Sequence, residues 1–532
     1  MMALVSRIAS ASASTTRRAG IHRVPMVVVV AGAVFALTAV LRLVGIGSSA
    51  DIFTDEVLYR DIGHNTVVHG YPYEGGSPFF LHPPGFFYLL AGWEYAFGFE
   101  SNAIMSVYDM RVLNALLAAG TAAALTVVVA RASRSWQAAA AAGALFAVDA
   151  FCMRQNGRVL LETSMMLPAI AGLAVLLPLF WRPLPARARL RAVCAGLLFG
   201  MSVVTKDWAV FVTVLPVLLA MVMGWGPPRR LLLGIVGMSA VPYAVYVAVV
   251  ALGGQLSWFL EVKSQGIQRL LGVIQETGFN SAKSPSVGSR LTDEAPTYAA
   301  TYLVLTVGVI ALAILLRWGN PAERLIGLLN LSGGCALAYA VLFGTLEEHY
   351  LYLLLVPSVM SVTVAVPLVL RRRNRRTARV VRRFAVTLLV VLLGISGTSY
   401  VVGRAEPDDG YAKLRAYLAA HLPAGSSITV VDGTPYFAST GEGRTSGLQD
   451  LYRVGRWVTP QARAEAGVRY VVVPWKEVRE GYTFLTVGET RRLIGQGDLV
   501  FSFKGRTYDT LALYRMPPPA PSVSPESQAR TP

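Results

Sequence analysis

Long apolar segments alternate with short polar ones along most of this chain. A helix needs about 20 apolar residues to cross a bilayer. The segments that approach this length are 25–47, 110–130, 136–152, 159–181, 190–205, 208–224, 231–252, 297–316, 324–344, 350–370 and 384–402. We therefore predict a mainly α-helical, polytopic transmembrane bundle of about 11 spans.

One further apolar stretch, 79–98, is excluded from this set. It is short and contains a histidine, two prolines and a glutamate, which suit the membrane interface better than the bilayer interior. The first span, 25–47, is too long for the apolar region of a signal peptide, and no small-residue cleavage pattern follows it. The predicted parts are a cytoplasmic tail at 1–24, a transmembrane domain at 25–402 and, within it, a first external loop at 48–109.

Charged residues divide between the two ends of the predicted spans. With the N-terminus inside, the arginine-rich loops share the inner side, including the basic run 371–383. Nearly all acidic residues before position 403 fall on the outer side, and Glu323 is the exception. Because Lys and Arg are enriched in cytoplasmic loops, we predict a multi-pass protein of the cell membrane with a cytoplasmic N-terminus.

The composition changes after the last predicted span. Helix-like patterns at 411–422 and 489–497 alternate with apolar, β-rich runs at 426–433, 468–474 and 498–516. This alternation indicates a small α/β domain, and an odd number of spans places it outside the cytoplasm. The predicted boundaries are 403–516 for this extracytoplasmic domain and 517–532 for a disordered Pro/Ser-rich tail.

Composition narrows the classes of partner and cofactor. Of 532 residues, 54% are hydrophobic and 15% charged, with a mean hydropathy of +0.51. The formal charge of +17 is assigned to the inner loops, so no nucleic-acid partner is expected. The three cysteines lie in or beside separate apolar segments. No ligand cluster demands a metal, so no cofactor is predicted, although a divalent metal remains open.

Two adjacent carboxylates, Asp55 and Glu56, follow the first span directly. Carboxylates close to a bilayer cost desolvation free energy unless they are hydrated or retained for function. A hydrated loop start or a helix cap is therefore the alternative to a catalytic role. A carboxylate at this position suits a general base acting on a neighbouring hydroxyl.

Further polar residues crowd the predicted outer face. They are Arg154, Arg158, Glu162, Lys206, Asp207, Glu347, Glu348 and His349. Arg158 and Glu162 are four residues apart and would pair if both lay on one helix. Lys206 is either an interfacial anchor or a ligand. Cations from several helices, beside a carboxylate pair, would form a site for a phosphate-bearing lipid.

Several motifs resemble the polyprenyl-phosphate-sugar-dependent glycosyltransferases of the GT-C superfamily. They are FTDEVLYRDIG (53–63), HPPGFFYLLAG (82–92), RVLLET (158–163), TKDW (205–208) and EEHYLYLLLVP (347–357). The resemblance covers roughly positions 25–370 and is closest to the protein mannosyltransferase and aminoarabinose transferase group, families 39 and 83. It implies a GT-C-like bundle carrying the external α/β domain.

The resemblance also implies an activity. The enzyme would be an inverting glycosyltransferase that moves a sugar from a polyprenyl-phosphate carrier to an acceptor glycan, lipid or protein at the outer face. Asp55 would be the base, with Glu56 assisting or orienting it. The remaining implied roles are donor-phosphate binding for Arg158, Lys206 and His82, a second carboxylate at Glu162, and further candidates at Arg154, Glu348 and His349.

Two alternative functions from other classes of protein remain. One is a transporter or flippase for lipid-linked sugars, which would bind the same phosphate head but is expected to show internal repeats and broken helices near the bilayer midplane. The other is a non-catalytic membrane scaffold whose C-terminal domain binds an external partner. The motifs do not identify the sugar, the acceptor or the carrier length.

Overall fold

The computed structural model describes residues 26–98, 103–274, 284–431, 452–495 and 497–518. The predicted tail 1–24 and all but the first two residues of the predicted tail 517–532 lie outside these ranges.

Helices, most of them apolar, build the membrane domain. In chain order they are α1 Met26–Leu43, α2 Thr54–His69, α3 Gly85–Phe97, α4 Ala103–Ser133, α5 Trp136–Val148, α6 Ala150–Asn156, α7 Leu161–Leu176, α8 Ala188–Thr205, α9 Val214–Val222, α10 Arg229–Leu252, α11 Leu256–Leu270, α12 Val287–Trp318, α13 Pro321–Leu342, α14 Tyr350–Arg372 and α15 Arg375–Ala405. A two-stranded ribbon, β1 Tyr73–Glu74 and β2 Ser77–Pro78, joins α2 to α3.

Within the described ranges, 9 helices are long and apolar enough to cross a membrane. A tenth span results if α5 and α6, which meet at a bend of 63°, are counted as one. The predicted span 208–224 is the exception, because it forms a short 3-10 helix, Asp207–Val212, followed by the 9-residue α9. The chain is thus a multi-pass membrane protein. The excluded stretch 79–98 contains only the 13-residue α3, in agreement with its exclusion.

The bend between α5 and α6 is held by polar side chains. The guanidinium of the buried Arg42 donates to the carbonyl oxygens of Phe146 (3.1 Å) and Ala147 (2.6 Å), which end α5. The Asp149 carboxylate accepts hydrogen bonds from the Cys152 amide (2.9 Å) and the Thr301 hydroxyl (2.8 Å). These contacts satisfy backbone groups that a helix break would otherwise leave unpaired in an apolar environment.

On the opposite end of the bundle, the exceptional acid Glu323 is paired. Its carboxylate accepts from the Asn320 amide (2.8 Å) at the start of α13 and contacts the Arg371 guanidinium. The carboxylate therefore has a cation from the basic run as its partner. That run is largely helical, because α15 begins at Arg375, well before the predicted start of its span at 384.

The C-terminal region is an α/β domain, as predicted. Its elements are α16 Gly410–His421, β3 Ser427–Val430, β4 Arg453–Gly455, α17 Pro460–Glu465, β5 Tyr470–Pro474, α18 Trp475–Glu480, α19 Val487–Ile494, β6 Asp498–Gly505 and β7 Asp509–Arg515. The strand order is β4-β3-β5-β7-β6, with the first three strands parallel and β7 antiparallel to both of its neighbours.

This domain shares one hydrophobic core with the first loop. Buried side chains such as Ile52 and Phe86 belong to the same cluster as Tyr411 and Leu511. In addition, the Tyr508 hydroxyl donates to the Ile52 carbonyl oxygen at 2.5 Å. The C-terminal domain is therefore packed into the platform that carries α2.

Candidate active site

Helix α2 presents Asp55 in its first turn. The side chain is half-buried, and no hydrogen bond or ion pair links its carboxylate to another residue in the described part of the chain. Burial raises the pKa of Asp55 to about 6, with Lys206 opposing this shift and Glu162 and Glu56 adding to it. A carboxylate ionised at neutral pH, with a pKa close to that range, is suited to accept a proton.

The neighbouring Glu56 has the opposite environment. It is fully buried, and its carboxylate accepts from Nε and an amino group of Arg111, both at 2.7 Å. It also accepts from the backbone amides of Val159 (2.9 Å) and Phe53 (2.9 Å). Glu56 thus joins α2 to α4 and to the segment before α7, which fixes the position of Asp55.

Lys206 and Glu162 form a buried ion pair in the site. Lys206 ends α8, and its Nζ lies 2.5 Å from Oε1 of Glu162. Nε2 of His349 approaches the same oxygen at 3.4 Å. The pairing of Arg158 with Glu162 that the sequence suggested is wrong, because α7 begins only at Leu161 and Arg158 lies in the preceding loop.

Helix α11 brings two cations that the sequence analysis missed. Nζ of Lys263 lies 2.8 Å from the Asp207 carboxylate, which also accepts from the Tyr243 hydroxyl at 2.9 Å. The Arg269 guanidinium lies 3.4 Å from Glu347. The available signal was the 3.6-residue apolar period of 256–270, which places cations on the polar face of a surface helix.

These cations converge on His82. Burial, Lys206, Lys263 and Arg269 all hold the pKa of His82 well below its usual range. His82 is therefore neutral at neutral pH and takes part through its ring nitrogens, with Nε2 3.3 Å from the Tyr59 hydroxyl. Burial similarly lowers the pKa of His349 to about 4, although Glu162 opposes the shift.

The remaining candidates, Arg154, Arg158 and Glu348, have other partners. The guanidinium of Arg154 contacts Glu348 at 3.1 Å and Glu294 at 3.4 Å. An amino group of Arg158 lies 3.3 Å from the Thr507 hydroxyl of the C-terminal domain. The structure thus groups Asp55, Glu162, Lys206, His82 and His349, and places Arg154, Arg158 and Glu348 beside them, toward the C-terminal domain.

The grouped residues can perform acid–base and electrostatic chemistry. A carboxylate with a raised pKa faces a set of fixed cations, an arrangement that can accept a proton and stabilise a developing anion. Among the described residues, no group of three or more His, Cys, Asp or Glu side chains could hold a metal ion.

Part of the chain matches a known protein family in sequence. Residues 33–262 match the dolichyl-phosphate-mannose-protein mannosyltransferase family. No protein with a curated description matches the chain significantly in sequence.

Two solved structures share the fold. ArnT from Cupriavidus metallidurans bound to undecaprenyl phosphate superposes with a TM-score of 0.54 at 12% identity, over 91% of this chain and 97% of that one. Its apo state gives 0.54 at 13% identity with the same coverage. The predicted resemblance is therefore confirmed: the chain has the fold of the GT-C membrane glycosyltransferases, and its residues 33–262 match the dolichyl-phosphate-mannose-protein mannosyltransferase family.

Proposed function

We propose that this protein is an inverting glycosyltransferase that takes its sugar from a polyprenyl-phosphate carrier. The observation that carries the proposal is the Asp55 carboxylate, without a hydrogen-bond partner in the described chain and with a pKa raised to about 6, close to the cation Lys206. Lys206, Lys263 and Arg269 together surround His82. The undecaprenyl phosphate in the matching ArnT structure supports a carrier of this class.

In the proposed reaction, Asp55 removes the proton from an acceptor hydroxyl. The oxygen attacks the anomeric carbon of the sugar from the face opposite the phosphate, so the configuration inverts. The bond between that carbon and the phosphate oxygen breaks, and polyprenyl phosphate leaves with the electron pair. Lys206, Lys263 and Arg269 stabilise the charge that develops on the phosphate.

The neutral histidines complement these cations. His82 and His349 are uncharged at neutral pH, so they offer hydrogen bonds to the phosphate or the sugar rather than a permanent positive charge. Glu162 holds Lys206 in place through their 2.5 Å ion pair.

We place the reaction at the outer face of the cytoplasmic membrane. Arg371 and the rest of the basic run lie at the opposite end of α14 from His349 and the site, and basic residues favour the cytoplasmic side. The C-terminal domain, which packs on the same side as Asp55, would then be extracytoplasmic.

The test is transfer of radiolabelled sugar from polyprenyl-phosphate donors by membranes that contain the wild type or Asp55→Asn, with native membrane material as the acceptor source. We expect Asp55→Asn to lower transfer by roughly 10²- to 10⁴-fold at normal protein abundance. Loss of the product's inverted anomeric configuration would contradict the mechanism.

Two results would redirect the assignment. Full transfer by Asp55→Asn would remove the assigned base. Absence of transfer in both proteins, with labelled carrier crossing the bilayer equally in both, would favour a transporter.

A further inference from the structure

A polar cavity lies between the membrane domain and the C-terminal domain. Its volume is about 670 Å³, which is within the range of small-molecule sites. The lining comes from α6 and the following loop, the first turns of α12, the outer end of α15, and the segments 476–480 and 505–509 of the C-terminal domain. Asp55 and Lys206 do not line it, so it is separate from the cation cluster described above.

Arg158 is the residue of this cavity whose charge is least compensated. Its side chain is 2% exposed, and its one side-chain hydrogen bond within the described residues is the 3.3 Å contact with the Thr507 hydroxyl. Among the described residues, its Nε has no hydrogen-bond partner and no carboxylate forms an ion pair with its guanidinium. A buried guanidinium without a counter-ion is costly, so an anion entering the cavity would be bound there.

Among the acidic residues of the cavity, Glu294, Glu480 and Asp509 have cationic partners, Glu480 through Arg290 at 3.1 Å, whereas Asp293 and Asp408 accept hydrogen bonds from Ser289 and Thr507. Glu294 pairs with Arg154 (3.4 Å) and Lys476 (3.3 Å). Asp509 pairs with Arg479 at 2.5 Å. Because Glu294, Glu480 and Asp509 are neutralised locally, they do not supply the missing counter-ion for Arg158, and Asp408 is linked to Arg158 only through the Thr507 hydroxyl.

The other unpaired arginines of the cavity have backbone partners. The Arg404 guanidinium donates to carbonyl oxygens at the end of α1, including that of Gly45 at 3.0 Å. The Arg506 guanidinium donates to the carbonyl oxygens of Ser49 (2.7 Å) and Gly403. These two side chains connect helix ends and loops. Among the arginines of the described lining, Arg158 is therefore the one available to bind an anion.

Arg158 lines the cavity and is also close to the base, Asp55. Its guanidinium carbon lies 5.0 Å from the centre of the Phe53 ring, and Phe53 is two residues from Asp55. The charge of Arg158 contributes to the environment of Asp55. A ligand held at Arg158 would therefore lie close to the base.

We infer that this cavity binds the acceptor, that the acceptor carries an oxyanion, either carboxylate or phosphate, and that Arg158 binds this group rather than the phosphate of the donor. The inference rests on the proposed transferase function. It accounts for two separate groups of cations, one outside the cavity for the leaving phosphate and one lining the cavity for the incoming substrate.

The first experiment distinguishes the donor cation Lys206 from the acceptor cation Arg158 by measuring carrier binding and sugar transfer. Purified full-length Arg158→Met, Arg158→Lys and Lys206→Met are compared in nanodiscs for their affinity for undecaprenyl phosphate and for transfer of labelled sugar to native membrane material. We expect Arg158→Met to keep the carrier affinity within about twofold, which also shows that it is folded, and to lower transfer roughly 10- to 100-fold. Arg158→Lys should recover part of the transfer, and Lys206→Met should bind the carrier weakly. Carrier binding as weak in Arg158→Met as in Lys206→Met, or unchanged transfer, would overturn the inference.

A second experiment does not depend on transfer. Ser49 lines the same cavity, and Ser49→Cys in a background with Cys194→Ala and Cys335→Ala is labelled with thiosulfonate reagents that carry a sulfonate or a quaternary ammonium group. We expect Arg158→Met to lower the ratio of sulfonate to ammonium labelling rates about tenfold. If inorganic phosphate but not malonate protects the introduced cysteine from labelling, the acceptor carries a phosphate. If malonate but not phosphate protects it, the acceptor carries a carboxylate. A ratio that does not respond to Arg158 would refute the anion site, even if transfer and the proposed function stand.

Discussion

At the scale of single residues, Asp55 and Glu56 are adjacent in the chain but have different surroundings. The Glu56 carboxylate accepts hydrogen bonds from Arg111, Val159 and Phe53, whereas no described residue donates to that of Asp55. Helix geometry explains the difference, because neighbouring residues on a helix point in directions about 100° apart. One side chain therefore enters the protein core while the other faces the site.

The pH dependence of transfer should report on Asp55. A base must be ionised, so the rate should fall as the pH drops through about 6, the pKa to which burial raises this carboxyl. Lys206 lowers this pKa and Glu162 raises it. We therefore expect the acid limb of kcat/KM to move to higher pH in Lys206→Met and to lower pH in Glu162→Gln. Limbs that move in the same direction in both variants would contradict this assignment.

The buried Glu56–Arg111 pair should control abundance rather than chemistry. Glu56→Gln leaves the buried Arg111 without its counter-ion, which costs about 3–5 kcal/mol. We expect little folded protein in detergent extracts, in contrast to Asp55→Asn. The double variant Glu56→Gln with Arg111→Met should recover folded protein relative to either single variant, as measured by size-exclusion chromatography. Equal losses in the single and double variants would show that the pair is not coupled.

Individual site residues were predictable from sequence to different degrees. Asp55 and Lys206 interrupt or follow apolar segments, so their position at the membrane surface was visible in the pattern. The role of Arg111 was not, because it lies at the start of a predicted span and its partner is 55 positions away. Such long-range pairs depend on tertiary packing that local patterns do not contain.

At the scale of secondary-structure elements, α11 is the part of the site that the sequence analysis left out. Its apolar face, with Phe259 buried, lies against the membrane domain, while Lys263 and Arg269 point toward His82. The helix is too short and too polar to be a span, so a search for spans passes over it. The length of an apolar segment identifies spanning helices but not amphipathic ones.

The integrity of α11 should determine carrier binding. Gly266 lies between Lys263 and Arg269, and a Cβ placed there meets no atom within 4 Å. Gly266→Pro should break the helix, displace one of the two cations and weaken undecaprenyl phosphate binding by about tenfold or more. Gly266→Ala is the matched control and should bind as the wild type does, because alanine favours the helix. Carrier binding can be measured by the quenching of tryptophan fluorescence, because Trp208 lies two residues after Lys206.

The predicted span count exceeded the observed one for a local reason. Helix α8 ends at Lys206, where the sequence predicted the end of a span. The apolar residues after it, however, form a 3-10 helix and the short α9. Apolar content alone does not distinguish a spanning helix from a short helix packed inside the bundle. The positions of the apolar segments were predictable, and the conformation after the break was not.

At the scale of the whole molecule, a polar network fixes the C-terminal domain to the first loop. The Asp408 carboxylate accepts from the amide (3.1 Å) and hydroxyl (2.7 Å) of Thr507. The nearby Asp51 accepts from the amides of Ile52 (2.8 Å) and Tyr411 (3.2 Å). Burial and the charge of Asp408 raise the pKa of Asp51 well above its usual range.

These two carboxylates should respond oppositely to substitution. Because its folded-state pKa is raised, Asp51 loses stabilising free energy as the pH rises above the ordinary pKa of an aspartate, about 4. We expect Asp51→Asn to be at least as thermally stable as the wild type, with an advantage that grows as the pH rises. Asp408→Asn should melt at a lower temperature, because its charge-assisted hydrogen bonds are weakened. A lower melting temperature for Asp51→Asn at pH 8 would contradict the expectation.

The shared core also has a consequence for biogenesis. The hydroxyl of Tyr508 and the carbonyl of Ile52 that meet in it are 456 positions apart in the chain. At a synthesis rate of about 5–20 residues per second, the first loop waits roughly 20–90 s before its partner emerges. During that interval its apolar residues need either a chaperone or the lipid surface to cover them. A nascent chain that stops before the last strands would thus expose an unfinished core, a feature that quality-control proteases recognise.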